Sequence, residues 1–205
     1  MIKLYGQARS RASRALWMLE ELGIAYEHVP VRPYTESRAL DYLRINPNGH
    51  IPALEDDGFI LWESLAINLY LAEKYASAPM WPANMRDHAR TYQWSLWAAN
   101  EVEPRIVSIG RGLAKNPRDE VAVSAGLEQL AAAFRVLENE LDGRGYLLGE
   151  EFTVADLTLA ATIREPGEQG VAGIAAIELA PFPRITRWLD CCGARFANRR
   201  VALLP

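Results

Sequence analysis

Hydrophobic positions alternate with polar ones in the opening residues. Ile2 to Tyr5 has the period of a strand, and Tyr26 to Val31 offers a second one. Between them, Ala12 to Leu22 carries Ala15, Leu16, Leu19 and Leu22 at helical spacing, and Gly23 is the stop signal. A helical stretch around Ser37 to Leu43 precedes a hairpin: Pro52 to Glu55, an Asp56-Asp57-Gly58 turn, then Phe59 to Trp62. Glu63-Ser64 opens a further helix through Tyr75, with Leu65, Ile67 and Leu71 on its apolar face. The predicted order for this first half is β-α-β-α-β-β-α.

The period then changes. Residues 77–86, rich in proline and small side chains, break both patterns and read as a linker between a first domain at 1–76 and a second at 87–205. From Asp87 onward only helical patterns remain: Asp87 to about Leu113, Asp119 to Leu141, Val154 to Arg164, and Pro183 to about Phe196. The fold class is therefore α/β followed by all-α. Thr153-Val154-Ala155-Asp156 has the spacing of a capping box, with Phe152 placed as a staple. That motif is structural in meaning. The chain shows no internal repeat and no low-complexity tract.

Composition narrows the classes. Half of the 205 residues are hydrophobic and 23 % are charged, enough apolar surface for compact domains. A net charge of −4, with both signs mixed along the chain, gives no field for a polyphosphate, so nucleic acid is not an expected partner. The first residues lack an apolar signal core, and Val154 to Ile163 is about half a membrane span, so neither export nor insertion is expected. Cys191 and Cys192, the only two cysteines, are adjacent and read as small buried hydrophobes in a reducing cytoplasm; no metal site is expected from them.

Three features of the first half could carry chemistry. Ser10 falls at the start of the first helix, amid Arg9, Arg11 and Arg14. Cations are disfavoured at that positive end, so their clustering suits a visiting anion; an ordinary serine cap with solvated arginines is the plainer account. Next, Pro52 opens a strand directly after the irregular run Asn46 to Ile51. A cis Ile51-Pro52 bond would turn the Ile51 backbone toward a peptide-like ligand, while a trans strand start is the ordinary expectation for these residues. Finally, Ser64 can cap a helix while its hydroxyl and the following amides receive a carboxylate, with Glu63 accepting from an ammonium. A zwitterionic amino-acid head needs both, though a routine cap accounts for Ser64 as well.

Leu4-Tyr5-Gly6 with Ser10 and Arg14, Asn46-Pro47 through Ile51-Pro52-Ala53-Leu54, Glu63-Ser64-Leu65-Ala66-Ile67 and Phe152-Thr153-Val154-Ala155-Asp156 together resemble the cytosolic glutathione S-transferase superfamily, nearly end to end. The serine-type, theta-like bacterial enzymes match best, since the first-turn tyrosine of other classes has no counterpart and the first half holds no cysteine. The resemblance implies a thioredoxin-like domain followed by a helical one, and a detoxifying transferase. Glutathione would be cosubstrate, no metal would be needed, and a cytoplasmic homodimer is expected. Carried over by position, Ser10 would donate to the glutathione sulfur, with Ser13 as competitor one turn on. Ile51 and cis-Pro52 would hold the cysteinyl backbone, and Glu63 and Ser64 the γ-glutamyl end. His50 stands where relatives often have a lysine toward the glycine carboxylate, which makes that contact pH-dependent.

A free thiol has a pKa of about 8.5, and lowering it by about 2 units requires about 2.7 kcal/mol of preference for the anion. One hydrogen bond to a charged acceptor supplies about 1.5 to 3 kcal/mol, and a helix N-terminus up to about 2. No general base is then required. The electrophile, a small hydrophobic molecule by the same resemblance, would meet an apolar pocket lined by Tyr92, Trp94 and Trp97, with Arg105 and Arg111 beyond; core or dimer packing is the plainer role for these aromatics. Two rivals stand beside conjugation: a glutathione-binding carrier or stress-regulatory protein without turnover, and a glutathione-dependent isomerase or peroxidase. A thiol transferase working through a protein cysteine is disfavoured, because Ser10 occupies that position.

Overall fold

A computed structural model describes residues 1–164 and 176–204. It divides into two compact units, Met1–Ser77 with Arg195–Pro205, and Ala78–Ala194. The first follows the predicted order: β1 (Ile2–Tyr5), α1 (Ala12–Leu22), β2 (Tyr26–Val29), a 3-10 turn at Glu36–Arg38, α2 (Leu40–Leu43), β3 (Ala53–Asp56), β4 (Phe59–Trp62) and α3 (Ser64–Tyr75). The sheet runs β2-β1-β3-β4, with β1 parallel to β2 and antiparallel to β3, and β3 antiparallel to β4. Leu4 sits opposite both His28 and Leu54. A parallel β1–β2 pair needs a crossover, and α1 provides it.

Helix α1 is buried over most of its length, with Ala12, Ala15, Leu16, Met18 and Leu19 all fully covered. It ends as predicted at Gly23, whose N–H returns to the Leu19 carbonyl. The hairpin turn is tighter than the sequence suggested. Asp56 belongs to β3, and Asp57 and Gly58 make a two-residue turn with φ of 49° and 87°, the pattern that matches strand twist. Asp56 is buried and accepts from Tyr70, Lys74 and Tyr75, fastening the hairpin to the far end of α3. Burial opposes its ionisation, but the Lys74 ammonium and the two hydroxyls hold its carboxyl below the usual value.

The second unit contains α4 (Met85–Trp97), α5 (Glu103–Ala114), α6 (Glu120–Glu140), α7 (Val154–Ile163) and α8 (Pro183–Gly193). The single pattern from Asp87 to Leu113 is in fact two helices joined by a π-helical turn, Ala98–Val102. Pro104 supplies the reason. It has no N–H to give the Asn100 carbonyl and its ring crowds that oxygen, so the helix widens there. The Arg105 guanidinium donates to the Asn100 carbonyl instead.

Both ends of the expected second domain differ in the structure. The residues read as a linker from Ala78 onward pack with the helical unit, and the Met80 carbonyl accepts from Val154 N–H. At the other end, α9 (Phe196–Val201) joins the first unit. Arg195 forms a two-pronged ion pair with Glu21 at 2.6 and 2.8 Å, and Arg200 meets Glu20 at 3.0 Å. Those carboxylates lie at the negative end of α1 and are nearly buried, so they require cations that α1 itself lacks. Helical period alone gives no hint of which unit a terminal helix covers.

Candidate active site

The site grows from the first turn of α1. Gly6, with φ of 139°, lies so close to that turn that a Cβ there would come within 2.8 Å of Ala12 and 3.2 Å of Ile51. The absent side chain lets the start of α1 and the Ile51-Pro52 loop meet. Ser10 stands one residue outside the capping position, which Arg11 occupies without a side-chain bond. The Ser10 hydroxyl accepts from the Ala12 amide at 3.1 Å and donates to the Gln7 carbonyl at 2.6 Å. It is thus a turn-stabilising serine with its proton placed on the backbone. Ser13 is partly buried on the next turn.

The arginine cluster expected around Ser10 does not gather there. Arg9 and Arg11 are exposed, whereas Arg14 is 1 % exposed and donates through Nη1 to Ser64 Oγ at 3.3 Å. A residue read as part of an anion-attracting rim is instead a buried link between α1 and α3. Ser64 differs from expectation too. It is the first residue of α3 and makes no cap bond; Glu63 occupies the cap position, with φ of 75° and ψ of 110°. That conformation costs a non-glycine residue about 1 to 3 kcal/mol and marks a functional candidate when it persists. The Glu63 carbonyl still takes the first helical bond, from the Ile67 amide at 2.9 Å, and its side chain is exposed beside the buried Ser64.

The Ile51-Pro52 bond is cis. The carbonyl of His50 just before it is held twice, by the Tyr42 hydroxyl at 2.8 Å and Asn46 Nδ2 at 2.7 Å, while Asn46 Oδ1 accepts from the Asn48 amide. Tyr42 and Asn46, both buried, therefore fix the loop that presents Ile51. The His50 side chain is exposed. Tyr5, the tyrosine nearest Ser10 in sequence, donates to Glu55 at 2.7 Å; burial first, then that bond, pushes its hydroxyl up to about 12.

The proposed electrophile residues are not assembled as a set. Tyr92 is packed edge-on to Trp81, and Trp97 instead meets Trp94 at 5.2 Å. Arg105 is tied to Glu101 and Asn100 on its own helix, and Arg111 lies exposed in the last turn of α5, where a cation suits the negative end. Cys191 is exposed and only Cys192 is buried, so the reading of both as buried hydrophobes holds for one. The capping box forms as predicted: Thr153 Oγ1 accepts from Ala155 N–H, and Asp156 reaches back to the Thr153 amide. Phe152 packs against Tyr146. Sequence reasoning gave no role to Tyr42 or to the inward turn of Arg14, because neither has a local signal.

Residues 1–73 match the family model for the glutathione S-transferase N-terminal domain, and residues 81–195 that for its C-terminal domain. The chain therefore belongs to the glutathione S-transferase family. Among its relatives, glutathione S-transferase GstB of Escherichia coli strain K12 is 32 % identical, the alignment covering 100 % of this chain and 99 % of the relative. Glutathione S-transferase 3 of Zea mays is 34 % identical over 100 % and 95 %. A solved theta class enzyme from Xanthomonas axonopodis pv. citri, with glutathione bound, superposes with a TM-score of 0.86 at 28 % identity, covering 100 % of this chain and 98 % of that one.

Proposed function

We propose that the first unit binds glutathione and that Ser10 donates a hydrogen bond to its sulfur, holding the thiolate ready to attack a small hydrophobic electrophile. The observation that supports this reading is that three candidate elements border the first turn of α1: Ser10 before it, the Ile51-Pro52 loop that Gly6 admits beside Ala12, and Ser64, next to the strained Glu63 and bonded to Arg14. Ile51 and Pro52 would take the cysteinyl backbone, Glu63 and Ser64 the γ-glutamyl head, and exposed His50 the glycine carboxylate.

The Ser10 proton must first leave the Gln7 carbonyl. Exchanging a neutral bond worth about 0.5 to 1.5 kcal/mol for a charge-assisted one of about 1.5 to 3 nets about 1 to 1.5. The partial positive charge at the start of α1 supplies the remainder of the 2.7 kcal/mol that ionisation near neutral pH requires. The Ser10–Gln7 bond also favours a second reading. If the hydroxyl keeps that partner, the protein is a glutathione carrier with a nearly ordinary thiol.

One experiment separates them. Calorimetry establishes glutathione binding, and thiolate absorbance followed against pH reports the bound sulfur. Ser10→Ala should leave affinity within a few-fold and raise the bound thiol's pKa by about 1 unit, the roughly 1 to 1.5 kcal/mol that the exchange nets, lowering the conjugation rate at neutral pH about 5- to 10-fold. Ser13→Ala should do much less. No binding at millimolar glutathione overturns the assignment; an ordinary thiol pKa in the unmodified protein selects the carrier.

A homodimer is part of the proposal. Phe59 and Trp62 on β4 are 50 % and 38 % exposed, and Phe59 packs on Tyr70 of α3, an aromatic edge that a second copy would cover. Sedimentation at micromolar protein should give twice the chain mass, and a single-chain mass contradicts it. Reduced thiol chemistry fits a cytoplasmic setting.

A further inference from the structure

Helix α3 buries an asparagine whose amide has no partner among the described residues. Asn68 is 0 % exposed, and neither its Nδ2 nor its Oδ1 has a hydrogen-bond partner among the described residues. An amide left so loses its interactions with water at both ends, and native structures seldom retain such a group without a use. An apolar side chain of similar size would carry no such cost.

Its place in the helix suggests the use. Asn68 follows Ser64 by four residues, so the two share one face of α3, and side chains on a helix lean toward its N-terminus. The Asn68 amide therefore leans toward Ser64 and toward Arg14, which crosses from α1 to donate to Ser64 Oγ. All three are nine-tenths or more buried. Because Ser64 Oγ accepts from Arg14, its own proton remains available to an acceptor, and the direction of that proton decides whether the hydroxyl serves a ligand carboxylate or turns away.

We propose that Asn68 is a positioning residue for the glutathione clamp: its amide binds one buried water beneath Ser64 and Arg14, and through it sets the direction in which the Ser64 hydroxyl points. A buried water makes about three hydrogen bonds to groups that otherwise lack them, and an amide offers it both a donor and an acceptor. The inference rests on the clamp role proposed for Ser64.

The test uses full-length protein with Asn68→Leu, which keeps the branching and heavy-atom count while removing the polar atoms, and Asn68→Ser, which puts a hydroxyl in place of the amide and leaves room for water. Calorimetry with glutathione should show Asn68→Leu binding about 5- to 10-fold more weakly, the loss of one net hydrogen bond, with Asn68→Ser within about two-fold of the unmodified protein. The bound thiol's titration should not move, since the sulfur lies at the other element. Adding Asn68→Leu to Ser64→Ala should weaken binding no further than Ser64→Ala alone, because the effect passes through that hydroxyl. Urea unfolding gives a readout independent of glutathione: Asn68→Leu should lower the midpoint. A raised midpoint, or additive losses in the double variant, overturns the proposal. Failure of the unmodified protein to bind glutathione overturns the clamp assignment and leaves the urea comparison to judge whether the amide is hydrated.

Discussion

The starts of α7 and α3 both bury polar side chains, and they treat them in opposite ways. At α7 Asp156 accepts from the Leu147 amide, the Thr153 amide, the Thr153 hydroxyl and the Trp188 indole, all within 3.0 Å. Thr153 at its cap position is extended with φ of −128°, as a cap should be. At α3 the cap residue Glu63 has positive φ and no cap bond, Ser64 accepts a long bond from Arg14, and Asn68 has no partner among the described residues. One helix start has been made as stable as local chemistry permits. The other keeps a strained Glu63 and a sparsely bonded Ser64, the kind of departure that the proposed clamp would account for.

The largest effect should come from breaking the satisfied side. Asp156→Ala strands the Leu147 and Thr153 amides and the Trp188 indole in the interior, at about 1 to 3 kcal/mol each. A loss of about 4 kcal/mol or more is a large share of a domain's stability, so urea unfolding should show the helical unit melting far earlier, or the protein should be insoluble. A loss below about 1 kcal/mol would end the contrast. The pH dependence has a definite sign. Burial raises the Asp156 carboxyl above its ordinary value, against four donors that lower it. The folded chain then binds that proton more tightly than the unfolded chain, so the group's titration adds most stability below about pH 4 and loses it as pH rises through the raised value. The gap between protein and variant should narrow with rising pH.

The two regions were also unequally legible. Thr153 and Asp156 are three residues apart, and the capping box depends only on that spacing, so sequence exposes it. The order of strands and helices in the first unit was legible for the same reason, each element being bounded by its own Gly, Pro or hairpin signal. At α3 the decisive contacts are long-range. Arg14 and Ser64 are 50 positions apart, and the positive φ of Glu63 has no local motif because glutamate is an unlikely residue to hold it. The π-helical turn before α5 could have been suspected from Pro104 inside a long helical pattern. The cover that α9 gives to Glu20 and Glu21 could not, since charge pairing across 174 positions leaves no trace in period.

The smallest predicted effect is the sharpest check on the comparison. Thr158, in the fully buried α7, also has a side-chain oxygen without a partner among the described residues. It lies in the helical unit, where the neighbouring Asp156 is completely satisfied, so here the missing partner should be a simple cost. Thr158→Val exchanges the hydroxyl for a methyl of nearly equal volume, and removing an unbonded buried hydroxyl should leave stability unchanged or raise it by up to about 1 kcal/mol. Glutathione affinity should not change. Urea midpoints for Thr158→Val and Asn68→Leu, measured side by side, then carry the decision. Stabilisation of the first with destabilisation of the second means that the two orphaned groups differ in kind, one idle and one engaged. If both stabilise, Asn68 is as idle as Thr158 and the clamp proposed at Glu63 and Ser64 does without it. If both destabilise, orphaned atoms in the two units are hydrated alike, and the absence of a protein partner no longer separates site from scaffold.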